Sequence, residues 1–157
     1  MKKEIVMGCL KDERPLLTRW HLLTTPWFRL HLHLFHRSDL DRALHDHPWE
    51  FYSLILWGGY TEVRPKEWLR ILLELQHNDD ANDDVANRLQ DPNSIERVPY
   101  FPGALLHRPA WWAHRIEVPT GKKSISLVLV KKKTRDWGFF GKTWIPWRIF
   151  TSSEECG

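Results

Sequence analysis

At 157 residues the chain is long enough to bury a real core and short enough to be one domain. Its formal net charge of +3 is too mild to argue for nucleic acid, which ranks last among partners even though Lys131-Lys132-Lys133-Thr134-Arg135 forms one basic run. No apolar run approaches the roughly 18 residues that a spanning helix needs, so no membrane partner is expected.

The N-terminus starts basic, but its apolar stretch is short and soon charged, and it does not read as a signal peptide. Cys9 and Cys156, near opposite ends, are therefore expected as free thiols in a reducing cytoplasm rather than as a disulfide. Residues 1–25 show no clean period and read as an N-terminal arm holding one strand or a short helix. From Trp27 the pattern sharpens: Leu30, Leu32 and Leu34 alternate with Arg29, His31 and His33, a period-two strand. A polar, turn-like stretch from His36 to Arg42 leads to His45-Asp46-His47, then to a hydrophobic strand from Phe51 to Trp57, the turn Gly58-Gly59, and a strand from Tyr60 to Arg64.

Residues 65–94 form an insertion. Leu69, Leu72, Leu73 and Gln76 repeat at helical spacing behind Pro65, predicting one short helix, while residues 78–94 are polar and acidic and read as an exposed loop with a weak helix around Val85 to Leu89. Strands resume at Arg97 to Phe101, Ala104 to His107, Ala113 to Val118 and Ser124 to Lys131, the last carrying the strongest β signal of the chain. The aromatic, glycine-rich tail 137–157 is expected to cover the core or pair at a sheet edge. Many short strands, with turns between them, predict an all-β antiparallel barrel or sandwich. The ten tryptophans suit pocket walls and interfaces, although packing alone accounts for any single one.

The chemistry concentrates at His45 and His47. Residues two apart on an extended strand face the same side, so their imidazoles form half of a metal site. The spacing around them resembles that of the cupins. His45-Asp46-His47 followed by Gly58 is similar to the first cupin motif, and Gly103, Pro109 and His114 are similar to the second, with Trp111 where that family has glycine. The stretch His36 to Trp49 also resembles small single-domain cupins of bacteria and phages. The resemblance implies a double-stranded β-helix, or jelly roll, over residues 1–157, and makes His45, His47 and His114 the metal-ligand positions. Neutral imidazoles suit one divalent transition metal, Fe(II) first, with Ni, Zn, Cu or Mn as alternatives. The family's glutamate falls at Phe51, which cannot ligate. Glu50 is one residue early, and only a bulge near Pro48 would bring it round as an additional ligand.

Arg29, His31, His33, Phe51, Ser53, Trp57, His107 and Trp112 are candidate pocket residues on strands that carry or neighbour the ligands. Asp39, Asp41, Arg42 and Asp46 crowd the approach and read as a salt-bridged loop that fixes the histidines. Three-histidine cupins that resemble this pattern include thiol and diketone-cleaving dioxygenases. The implied function is thus an iron-dependent oxygenase acting on a small-molecule substrate. The alternatives are a metal-dependent isomerase or lyase, and a non-enzymatic cupin that holds a small ligand. A homodimer through sheet edges or the aromatic tail is open.

Overall fold

Alternation of large apolar and polar side chains, with glycine-bearing turns between, yields twelve strands among the described residues, which are 1–8, 14–39, 43–75 and 79–152 of a computed structural model. In chain order they are β1 (Lys2–Val6), β2 (Leu17–Thr24), β3 (Phe28–Phe35), β4 (Leu44–His45), β5 (Phe51–Trp57), β6 (Tyr60–Pro65), β7 (Ile95–Tyr100), β8 (Leu105–Arg108), β9 (Arg115–Glu117), β10 (Ser124–Lys131), β11 (Gly138–Phe140) and β12 (Trp144–Pro146). Helices α1 (Glu67–Leu75) and α2 (Asp79–Arg88) lie between β6 and β7, and a single turn, α3 (Trp147–Phe150), follows β12.

The first layer is a six-stranded antiparallel sheet in the order β1-β2-β3-β10-β5-β8. The second comprises two three-stranded sheets, β12-β11-β4 and β7-β6-β9. An isolated antiparallel bridge joins them: His45 and His114 exchange both backbone hydrogen bonds, each 2.9 Å. The result is two facing layers of a jelly roll rather than a closed barrel, with two of the candidate ligands at the seam of the second layer.

Between the layers the strands bury every second residue. Phe51, Ser53 and Ile55 of β5 point inward, as do His31, His33 and Phe35 of β3 and Ser124, Ser126, Val128 and Val130 of β10. An apolar plug of Leu17, Phe35, Ile55, Tyr60, Leu106, Ile116 and Val118 closes one end of this interior. Phe51, Val128 and Val130, with Trp49 against them, line the other. At Gly58 the φ angle is +82°, and a Cβ there would stand 2.1 Å from the Lys123 carbonyl, so only glycine lets the β5–β6 turn pass β10 this closely.

Two expectations are corrected. The arm 1–25, expected to hold one strand or a short helix, holds two strands: β1 pairs with β2 and β2 with β3, so the N-terminus is built into the first layer. The single strand expected there went undivided because an edge hairpin with both faces mixed has no clean period. The insertion holds the expected helix as α1 and, over the weaker helix expected around Val85 to Leu89, the longer α2. Its second half is no exposed loop, for Val85, Ala86 and Leu89 are buried with Leu69 and Leu73 of α1 against Val63, Leu44, Ala113 and Phe140. Three apolar residues suffice to seat a polar helix when the partner face, the outside of β6, is itself apolar.

The tail pairs at a sheet edge. β11 hydrogen-bonds to β4, setting Phe139 opposite His45, and β12 pairs with β11. No helix of the described residues is long and apolar enough to cross a membrane. Cys9, Asp41, Arg42 and Cys156, named above for a thiol pair and a salt-bridged loop, lie outside the described residues.

Candidate metal centre

His45 and His47 flank Asp46, and the alternation that turns the two imidazoles inward turns the Asp46 carboxylate the other way. There it is fully buried, accepting from Gly138 N at 2.8 Å and Trp144 Nε1 at 3.2 Å and pairing with Arg135 Nη2 at 3.0 Å. Burial pushes this carboxyl up to about 6 against the pull of Arg135 and the Gly138 amide. Backbone bonds from His47 N to Ala110 O (2.9 Å) and from Asp46 N to Gly138 O (3.1 Å) complete the clamp. The histidine segment is thereby stitched to the Pro109 corner on one side and the aromatic tail on the other. In the preceding loop, the Asp39 carboxylate ties the chain down in the same way, accepting from Ile116 N at 2.8 Å.

The structure gathers His45, His47 and His114 so that one ligating nitrogen of each lies within 4.8 Å of the others. His47 Nε2 and His114 Nε2 stand 2.8 Å apart. Adjacent nitrogens held at about 2.1 Å from one ion would be separated by about 3 Å, so the spacing fits a shared cation. Aromatic rings fix the plane of each imidazole. Phe139 lies 5.6 Å and Trp137 6.2 Å from the His45 ring, and Phe51 meets His47 edge-on at 4.7 Å.

Burial, reinforced by neighbouring His114, lowers His45 to about 3. It also holds His47 well below its ordinary value, with His114 and His45 adding to the effect. Both rings are therefore neutral near pH 7 and present lone pairs.

His114 is oriented by a residue that the sequence pattern did not single out. Its Nδ1 lies 2.6 Å from Oε1 of Glu62, a carboxylate on β6 that is only 1% exposed. An ionised carboxylate accepts only, so Nδ1 donates to it and Nε2 is the ring nitrogen that faces His47. The two Nε2 atoms, facing each other at 2.8 Å, need a proton or a cation between them.

Glu62 is itself gripped by Arg108 through two bonds, Nε to Oε1 at 2.9 Å and Nη2 to Oε2 at 2.6 Å, and accepts from Trp112 Nε1 at 3.2 Å. Burial alone would raise this carboxyl, but the hydrogen bonds and charge of His114 and Arg108 outweigh it and bring Glu62 down to about 2. Arg108 also stacks on Trp112, its guanidinium carbon 4.4 Å from the ring. The only sequence clue to Glu62 is a charged residue within a strand that otherwise reads as half buried.

Phe51 occupies the inward position where a fourth, carboxylate ligand was expected, so the histidine cluster carries no ligating charge of its own. Glu50 stays on the outer face of the first layer. It accepts from Lys131 Nζ at 2.9 Å and Tyr52 OH at 3.3 Å and meets His107 Nε2 at 2.8 Å. The bulge that would turn it inward is absent before Phe51, because β5 pairs in register with β10 and β8 from its first residue. His107 shares this outer cluster, stacked on Tyr52 at 4.6 Å.

Strict alternation would have turned Trp57 inward. A bulge opposite Ile125/Ser126 inserts Leu56 as the extra residue, and Trp57 ends outward, 57% exposed. Ser53 and Trp112 do face the interior, the first beside Tyr60 and the second on Glu62.

The remaining pocket candidates line the first layer beyond Phe51. His33 Nε2 accepts from Arg19 Nε at 3.0 Å, and the His31 ring stacks on His33 at 5.9 Å and meets His21 edge-on at 4.6 Å. Arg29 lies over the Trp49 ring at 4.7 Å. Two buried atoms of this wall, His31 Nδ1 and Ser126 Oγ, have no hydrogen-bond partner. An unmet buried donor or acceptor costs about 1–3 kcal/mol, so such atoms are uncommon without a use.

No model of a known protein family matches the sequence, and no curated protein matches it. Solved structures do match in shape. A cupin-2 domain protein from Rhodospirillum rubrum aligns over 85% of this chain and 72% of its own at a TM-score of 0.54 and 13% identity. The fold is that of the cupins. The polyketide cyclase RemF from Streptomyces resistomycificus aligns over 85% of this chain and 76% of its own, with a TM-score of 0.50 and 19% identity. The DMSP lyase DddQ from Ruegeria pomeroyi aligns over 83% and 56%, with a TM-score of 0.50 and 15% identity. At these identities the likeness is one of cupin architecture. Within that architecture, His45 stands on β4, His114 bridges it at the seam of the second layer, and His47 lies in the segment that leads into β5.

Proposed function

We propose that the protein is a mononuclear metal-dependent enzyme acting on a small molecule, and specifically a ferrous oxygenase. The observation that carries this reading is the donor set: three imidazoles from His45, His47 and His114 converge, with Phe51 rather than a carboxylate beside them. Imidazole suits iron among other transition metals, and a neutral set leaves the full 2+ charge of the ion to attract an anionic or chelating substrate. A bound ferrous ion would supply Lewis acidity and a redox partner for dioxygen at its open positions.

The chain's own residues do the rest. Glu62 holds the tautomer of His114 and Arg108 holds Glu62, so the donor geometry is set before any ligand arrives. Phe51, Val128 and Val130 form an apolar wall beside His47, which limits water at the reacting centre.

One observation favours a second reading, a metal-dependent isomerase or lyase. The Tyr60 hydroxyl is buried near Ser53 and raised above its ordinary value by burial and by the Glu62 charge, so it stays protonated near neutrality as a hydrogen-bond donor in the interior. Oxygen uptake separates the two. Protein loaded with ferrous iron and given a panel of small organic acids should consume oxygen stoichiometrically with product. Turnover that proceeds equally without oxygen would replace the oxygenase with the isomerase or lyase.

A further inference from the structure

The wall opposite the second layer holds more hydrogen-bonding capacity than the protein uses. Arg19 spends Nε on His33 (3.0 Å) and Nη1 on Glu4 (3.3 Å), leaving Nη2 without a hydrogen bond among the described residues. His31 Nδ1 and Ser126 Oγ are buried and unpartnered, in residues 3% and 1% exposed. Register places them together. Arg19 lies opposite His33, His33 opposite Ser126, and His31 opposite Val128, and all face inward on the sheet side that carries Phe51.

The charge of this wall is positive. The guanidinium charges of Arg19 and Arg29 both act on His31. Among the described residues the carboxylate against it is Glu4, at the sheet edge, which also bonds His21 at 3.1 Å. Glu62, deeper in the interior, is committed to Arg108 and His114.

We propose that Arg19, His31 and Ser126 form the binding site for a carboxylate group of the substrate, with Arg29 on Trp49 at its outer end. The three unspent groups can each donate a hydrogen bond, and an ionised carboxylate offers acceptors only. The site rests on the reading that the neighbouring histidines hold the reactive centre. It makes the substrate an organic acid whose carboxylate docks on the first layer while its other end reaches His47 and His114. A neutral amide of the same shape offers one carbonyl acceptor where the carboxylate offers two charged oxygens, and its NH2 group opposes the donors, so it binds less tightly.

The test uses the metal-free full chain, with glutarate as probe, glutaramide as its neutral counterpart and inorganic phosphate as the other oxyanion, each titrated calorimetrically. Glutarate should bind at least tenfold more tightly than glutaramide and than phosphate. Ser126→Ala, the mildest change, should weaken glutarate several-fold, His31→Gln similarly, and Arg19→Gln at least tenfold, with thermal melting checking that each folds. If Arg19→Gln does not fold, Ser126→Ala and His31→Gln carry the test. Equal binding of glutarate and glutaramide, phosphate binding as tight as glutarate, or glutarate affinity unchanged in Ser126→Ala and His31→Gln overturns the assignment. A parallel nickel titration keeps the two readings apart. Wild-type protein that binds glutarate but no nickel supports the carboxylate site and overturns the metal centre, and variants that bind nickel normally but have lost glutarate place the defect at the wall.

Discussion

Glu62 and His114 are joined Oε1 to Nδ1 at 2.6 Å, and through that bond a buried carboxylate on β6 decides which nitrogen of His114 is available to a metal. Replacing Glu62 by Gln removes the obligatory acceptor and leaves the Arg108 guanidinium, 8% exposed, without its counter-charge. Partners of metal-bound histidines typically carry 10–100-fold in affinity, so Glu62→Gln should weaken metal binding by about that factor. Breaking a buried ion pair should also cost about 3–5 kcal/mol of stability. Competition titration with a chromogenic chelator, alongside denaturant unfolding, measures both. Unchanged metal affinity in a folded Glu62→Gln protein would reduce Glu62 to a packing role.

The two faces of β5 make opposite predictions for neighbouring residues. Glu50 points outward to Lys131 and His107 on a half-exposed surface. Glu50→Ala should leave metal affinity unchanged and shift stability by no more than about 0.5 kcal/mol. Phe51 points at His47. Phe51→Glu should place a carboxylate beside the imidazoles and tighten metal binding, while the metal-free protein loses stability from the lost ring and the buried acid. Reduced metal binding in Glu50→Ala would contradict this placement of the two side chains.

The insertion is predicted to belong to the core. Leu69 is fully buried against Val63, whereas Leu75, at the end of the same helix, is 73% exposed. Leu69→Ala should cost about 2–5 kcal/mol and Leu75→Ala close to nothing, read from urea unfolding midpoints. Equal effects would mean that the helices do not pack on β6 as described.

His31 gives a pH prediction. Burial first, then the charges of Arg19, His21 and Arg29, lowers it from an ordinary 6.5 to about 4. Because the folded value is the depressed one, the unfolded chain binds the extra proton first. Stability from this residue is therefore complete above about 6.5 and drains away as pH falls towards 4. His31→Gln should flatten the stability profile of the metal-free protein across that window, measured by urea unfolding at several pH values. A profile of the same slope would show that His31 titrates normally.

Much of this was legible before the structure. The alternation of Leu30, Leu32 and Leu34 with His31 and His33 marked β3, and the spacing of His45, His47 and His114 marked three residues that the fold brings together. These signals survive because each rests on one strand or one motif. What stayed hidden depends on long-range register. Glu62 is one glutamate among many until β6 is placed beside β9, which carries it to His114. Trp57 turned outward because of a bulge against β10, which no local pattern announces. Arg19 and Ser126 belong to the same wall as His33 only once β2 and β10 are known to flank β3. The first helix of the insertion was legible from its leucine spacing, but the second was only a weak signal for a related reason. Its few apolar residues gain weight only against the outside of β6.

The most direct test of the account is metal stoichiometry. Protein purified, stripped, reloaded with ferrous iron under anaerobic conditions and desalted should carry about one ion per chain, and His45→Ala, His47→Ala and His114→Ala should each lose most of it while Glu50→Ala retains it. Wild-type protein that binds no transition metal, or full occupancy that survives His114→Ala, would contradict the proposed centre.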